Sequence, residues 1–316
     1  MNFFEKEIKN QIMATDIFVC IADEKISQKE IREDVEKAFG IFKDIENRFS
    51  RFLPNNELFF FNKSSGNIKL SYDMLEMLER SLHYHKFTNG AFDISILPNL
   101  LSEGYNVSKK SGYYKANSKN NSPSLPSFSK ITDLVLDIEN NTATKPKDLK
   151  IDLGGIAKGF AVDKISKFLR QKYQNFLVDA GGDIFAAGTD LKNNCPYWAV
   201  EIENPIEPDK STDILMLSNR AVATSGVNRR KWIKDGQKKN HIIDPKTGKS
   251  VYTGLLSVTV VANTTIEADV LAKSLLIMGI KKGLILCEIN SIPAYFMDDN
   301  LKINRSTKIN GYVWKE

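Results

Sequence analysis

The 316 residues include only three cysteines, Cys20, Cys195 and Cys287, too few and too scattered for a disulfide framework or a metal-ligand spacing. Histidine is equally scarce, at His83, His85 and His241. No run of about 18 apolar residues occurs, which excludes a membrane-spanning helix. The opening MNFFEKEIKNQ lacks the apolar stretch and small-residue cleavage site of a secretory signal. The expectation is a cytoplasmic protein, or an exported one whose signal has been removed. Charge of one sign is also lacking: 44 basic against 39 acidic residues leave a net charge of +5, spread along the chain. A nucleic-acid binder gathers its basic residues on one face, so none is expected here. Short runs such as Arg229-Arg230-Lys231 and Lys281-Lys282 read as solvated surface, or as attraction for a phosphate-bearing anion.

Against those absences, 42% of the residues are hydrophobic and 26% charged, an ordinary globular composition. Residues Asp16–Ala22 form a short β-rich run. Lys29–Asn47 has Ile31, Val35, Phe39, Phe42 and Ile45 at helical spacing, and Ser71–Phe87 is a second helix. Tyr105–Phe128, rich in Ser, Asn, Lys and Tyr, reads as a surface insertion. Strands are expected at Leu134–Ile138 and Leu149–Leu153, joined by a polar connection. A helix follows at Ala157–Tyr173, then strands at Phe176–Asp179, Trp198–Ile202, Asp213–Leu217 and Leu256–Ala262, and a last helix from Thr265 to Met278. Without a regular βαβ repeat, an α+β fold is favoured over a doubly wound sheet. One domain over 1–316, two-lobed as the alternative, is the expected organisation.

Four segments carry chemistry. In Asp152–Asp163 a strand delivers Gly154-Gly155 and then a helix with Lys158 in its first turn. Glycines admit close approach, a helix start offers unpaired N–H groups to an anion, and Lys158 adds a point charge. The spacing matches neither the dinucleotide fingerprint nor the P-loop, and packing glycines at a strand–helix junction explain it equally well. Further glycine turns are expected at Gly181-Gly182 and at Thr224-Ser225-Gly226. Asp183 suits a ribose acceptor or a turn that bonds its own backbone. In HIIDPKTG, His241 at a strand end suits acid–base work or a structural role, and Asp244-Pro245 opens a turn. Asp269 and Lys273 are i, i+4 neighbours on a helix: an exposed ion pair, or a carboxylate near a phosphate or dication.

In this order, the segments resemble the ApbE family, the FAD:protein FMN transferases. The likeness runs through Met13-Ala14-Thr15, Phe49–Asn62, Thr88–Pro98, Asp152–Asp163, Ala180–Ile184, Ala223–Trp232, His241–Gly248 and Ala268–Gly279. It implies an α+β, T-fold-like architecture of mixed and antiparallel sheets with packed helices. It also implies that FAD and Mg²⁺ are bound, the FAD pyrophosphate is cleaved, and FMN is esterified to a Ser or Thr hydroxyl of a partner flavoprotein with release of AMP. Carried over by position, Met13, Phe52, Ala91, Phe92, Asp93, Asp152, Lys158 and Ile243 are flavin-nucleotide contacts. His241, supported by Asp244, is the acid–base group. Gly155, through its carbonyl, and Asp269 are metal ligands, with Lys273 at the position of a further one. An FAD carrier or sensor without transfer, and an FAD pyrophosphatase, are the alternatives.

Two departures stand out. Phe52 replaces a family tyrosine, keeping the ring and losing the hydroxyl. Lys273 replaces a metal-ligand threonine, and an ammonium has no lone pair for a metal.

Overall fold

Ile17, Val19 and Ile21 alternate along Thr15–Asp23 with no exposure, yet the intervening Cys20 and Ala22 are buried too. A strand buried on both faces belongs in the middle of a layered structure. The computed structural model describes residues 2–105 and 129–315 and divides them into two units. The first comprises Met1–Glu46, Lys158–Asn228 and Thr253–Glu316; the second comprises Asn47–Ala157 and Arg229–Tyr252.

The first unit is built on an eight-stranded sheet. Its strands are Asn2–Ile12, Thr15–Asp23, Asn175–Ala180, Ile184–Ala187, Arg220–Gly226, Leu255–Ala262, Ala294–Asp298 and Ile303–Arg305. Their order across the sheet is their order in the chain, and every neighbour is antiparallel. Helix Thr265–Asn290 packs across Arg220–Gly226 and Leu255–Ala262. On a second core, Trp198, Ile202, Leu215 and Leu217 of the Trp198–Glu203/Ser211–Leu217 hairpin cluster with Cys20, Val222 and Tyr295. All five apolar residues on the helical period of Gln28–Phe49 are buried. Helices Ala157–Leu169 and Thr265–Asn290 touch where Gly159 has no side chain: a Cβ there would lie 2.9 Å from the Ile266 backbone.

In the second unit, helices Glu57–Lys63 and Tyr72–Phe87 are capped by Asn56 and Ser71, whose side chains accept from Phe59 and Met74 N–H. A three-stranded sheet orders Gly66–Lys69, Thr142–Lys145 and Val135–Asp137. Two hairpins follow, Lys231–Lys234 with Gln237–Asn240 and Ile243–Asp244 with Lys249–Ser250. Among the described residues no helix is long and apolar enough to cross a membrane.

Several expectations are corrected. Leu149–Leu153 is not a strand, although Leu149, Ile151 and Leu153 are fully buried. A side chain replaces a neighbouring strand: Asn62 accepts from Ile151 N–H and donates to its carbonyl, while Asp152 N–H donates to Ile94. The second strand is instead the polar Thr142–Lys145. Thr224-Ser225-Gly226 is not a turn but the end of a strand, with Gly226 opposite Ser257. Helix Ala157–Leu169 stops four residues earlier than Tyr173. The last helix passes Met278, kinks at Gly279 (φ 73°) and continues to Asn290. Tyr105, expected at the edge of an insertion, is buried in a cluster with Leu100, Trp232 and Ile243; 106–128 lie outside the described residues.

Candidate functional site

In the first unit, the hairpin between the two N-terminal strands turns at Met13-Ala14, where φ is 53° and 52°. Two left-handed residues make the turn that suits a β-hairpin, but glycine or asparagine normally fills it. Strand pairing sets this turn beside Ala180-Gly181-Gly182-Asp183, since Ile17 lies opposite Ala180. Gly181 (φ 69°) leaves no space for a side chain, because a Cβ would meet Thr15 Oγ1. Asp183 does not only close its turn, through its carbonyl and Ala180 N–H: its buried carboxylate also pairs with Lys158. The Lys158 side chain keeps 20% of its exposure and Asp183 only 2%, so the lysine is the more exposed partner.

Asp163, in the same helix as Lys158, accepts from Thr265 N–H at 2.7 Å and Ile266 N–H at 3.0 Å. It thereby caps the helix carrying Asp269 and Lys273. That pair is not on the surface: Asp269 is 4% exposed, and Lys273 Nζ stands 2.8 Å from its Oδ1. Among the described residues Asp269 Oδ2 is buried without a hydrogen-bond partner.

In the second unit, Ala91 and Phe92 are buried. Thr88 fixes their loop by accepting from Phe92 N–H at 3.0 Å, so a ligand would meet backbone there rather than side chain. Asp93 accepts from the N–H and hydroxyl of Ser95. His85 donates from Nδ1 to the Phe92 carbonyl at 3.0 Å, with Asp93 Oδ2 at 3.4 Å. Asp152 accepts from Gly154 N–H and pairs with Arg51 at 2.8 Å. Ile156 and Ala157 N–H then bond the Leu153 carbonyl, which places Gly155 inside the turn that opens the helix. Arg51 lies 4.1 Å from the Phe52 ring centroid and 4.7 Å from that of Tyr105. Phe52, 37% exposed, is thus an open aromatic face backed by a guanidinium.

His241 follows the last residue of the Gln237–Asn240 strand, half-buried, with Nδ1 turned inward and Tyr105 6.4 Å away. Tyr105 stacks on Trp232 at 5.4 Å. Glu103 holds both hairpins: its Oε2 accepts from Ser250 N–H, Lys239 Nζ stands 3.1 Å from it, and its carbonyl accepts from Trp232 Nε1. Burial raises the Glu103 carboxyl, but the Ser250 and Lys239 hydrogen bonds outweigh it and bring it below its ordinary value. Ile243 is 2% exposed and its side chain belongs to the core, leaving only its backbone for a ligand. Asp244 uses Oδ1 on Lys246 N–H and its carbonyl on Gly248 N–H, forming the expected turn.

The sequence reading missed Arg51, Glu103, Tyr105 and Trp232. Arg51 is the one with a visible signal, a charged residue beside the aromatic already singled out. The others are joined by contacts between segments more than a hundred residues apart, which no local pattern reports.

A meander of antiparallel strands with helices on it is the fold of solved flavin transferases. The ApbE protein of Thermotoga maritima superposes with a TM-score of 0.84 at 23% identity, covering 99% of this chain and 100% of that one. A histidine-to-glycine variant of the flavin transferase ApbE from Vibrio cholerae gives 0.80 at 24% identity, covering 98% and 99%. The ApbE family model matches residues 13–296. The FAD:protein FMN transferases of Vibrio cholerae and Haemophilus influenzae are each 30% identical, the first over 93% of this chain and 87% of its own, the second over 89% and 82%. The chain belongs to the ApbE family.

Proposed function

We propose that this protein binds FAD and transfers its FMN half to a Ser or Thr hydroxyl of a partner flavoprotein. His241 takes the hydroxyl proton, the hydroxyl oxygen bonds to the FMN phosphorus, and the bond from that phosphorus to the oxygen bridging the pyrophosphate breaks. AMP leaves with that electron pair. The observation that carries this reading is His241 itself, at a strand end whose two hairpins are fixed by Glu103 and by the Tyr105–Trp232 stack. The backbone that carries His241 is thereby fixed, which lowers the entropic cost of presenting a base there. The names of the relatives, FAD:protein FMN transferases, support the same chemistry. Phe52 serves as the flavin-stacking face, the backbones of Ala91, Phe92 and Ile243 as polar contacts, and Asp152, fixed by Arg51, as an acceptor. Lys158 and Lys273 serve the phosphates.

Magnesium, which the resemblance implies, does not fit the residues present. The bare Asp269 Oδ2 suits a cation, but lysine stands where the resemblance implies a further ligand, and an ammonium has no lone pair to give a metal. Lys273 already neutralises Asp269. A dication on Oδ2 would have to share that carboxylate with the ammonium and would be repelled by it.

The test is co-expression with a flavoprotein bearing a Ser/Thr acceptor, followed by denaturing gel fluorescence. Covalent flavin is expected with the wild type and lost in His241→Ala, which retains FAD binding. Undiminished labelling by His241→Ala refutes the role given to His241. AMP release with no labelled protein would mark a pyrophosphatase instead.

A further inference from the structure

We infer that Lys273, seated on Asp269, is a built-in cation that meets an FAD phosphate in place of a metal ion; this rests on the FAD reading above. The carboxylate is nearly inaccessible, and burying it ionised is costly unless a cation stands against it. Helical i, i+4 spacing places Lys273 there at 2.8 Å. The side chains keep 18% and 5% of their exposure, so the lysine is the more exposed partner of a pair whose acid is buried. Lys158 and Asp183, in the same unit, repeat this with 20% and 2%. An ammonium is a compact point charge with three N–H donors, suited to phosphate oxygens. Threonine at 273 would offer lone pairs to a metal; lysine offers only donors, so this chain recognises the phosphates without one.

The test uses the full chain freed of divalent ions with EDTA. FAD binding is followed by quenching of flavin fluorescence with and without Mg²⁺, and metal uptake by the electron paramagnetic resonance of free Mn²⁺. Wild-type affinity for FAD should agree within about twofold in the two conditions, with no Mn²⁺ taken up. Lys273→Thr should lose about tenfold in FAD affinity in EDTA, the order of one charge-assisted hydrogen bond, regain it with Mg²⁺, and take up Mn²⁺. Lys273→Met should show the loss without the rescue, and circular dichroism checks that each variant folds. Wild-type FAD binding that needs Mg²⁺, or Mn²⁺ uptake by the wild type, overturns the inference and leaves the FAD reading standing; so does a folded Lys273→Thr with unchanged affinity in EDTA. No FAD binding in either condition sinks both.

Discussion

Replacing Gly181 by alanine probes the hairpin turn that carries Met13. Two costs are expected. Gly181 has φ 69°, a region that costs an L-residue roughly 1–2 kcal/mol. The new Cβ would also overlap Thr15 Oγ1 and fall 3.0 Å from Thr15 Cβ. Relieving that overlap requires a changed Thr15 rotamer or a shifted strand, about 1–2 kcal/mol more. The sum, about 2–4 kcal/mol, should appear as a lower urea midpoint at unchanged slope. Thr15→Ala separates the terms, since it deletes the overlapping oxygen and leaves the backbone cost. In that background Gly181→Ala should cost only about 1–2 kcal/mol, a coupling of at least about 1 kcal/mol. FAD affinity of the single variant should fall with stability, because the displaced strand carries the Met13 turn. Equal costs in the two backgrounds would show that Thr15 does not press on Gly181, and the proposed link between the two turns would be wrong.

Two further outcomes follow from the first unit. Asp163→Ala removes the carboxylate that accepts from Thr265 and Ile266 N–H at the start of the Asp269 helix, leaving Thr264 Oγ1 on Glu267 N–H, and should cost about 2 kcal/mol, with faster amide exchange at Thr265 and Ile266; unchanged exchange there would contradict the capping role. For Asp34, burial opposes ionisation, but hydrogen bonds from Lys37, Lys172 and Tyr173 outweigh it and bring the carboxyl from 3.8 to about 2. A depressed carboxylate stabilises the fold above its unfolded value and stops doing so as pH falls through the folded one. Asp34→Asn should therefore cost about 2 kcal/mol at pH 7, and the difference from wild type should shrink between about pH 4 and pH 2; a constant difference would rule the charge out as its source.

Much of the fold was legible because burial imposes a period. The helical stripe from Ile31 to Ile45 and the apolar run around Val19 report their environment directly in the sequence. The reading failed where something other than period decided the structure. Leu149–Leu153 is as apolar as a strand, yet the Asn62 side chain takes the place of a ladder partner. Thr142–Lys145 is polar because the three-stranded sheet leaves Thr142 and Thr144 incompletely buried. The site was legible as motifs more than as geometry. Asp152, Lys158, His241 and Asp269 could be marked one by one. That Lys158 rests on Asp183, that Asp163 caps the helix of Asp269, and that Ile243 turns into the core follow only from three-dimensional packing.

The Met13-Ala14 turn joins these observations. Neither residue is suited to positive φ, and each costs roughly 1 kcal/mol there relative to glycine. Asn-Gly would make the same hairpin more comfortably, so the turn chemistry does not explain why methionine stands at its tip. A half-buried, flexible thioether at the tip of that turn is explained if it contacts a ligand. The buried carboxylates of Asp183 and Asp269 make the same point in electrostatic terms, since each is an expense in the interior that returns only a positioned ammonium. All three costs fall in the unit built on the eight-stranded sheet, whose central strands are buried on both faces. A framework with that much apolar burial can hold several locally unfavourable arrangements, and their concentration around the Met13, Lys158 and Lys273 segments is what function, rather than stability, accounts for.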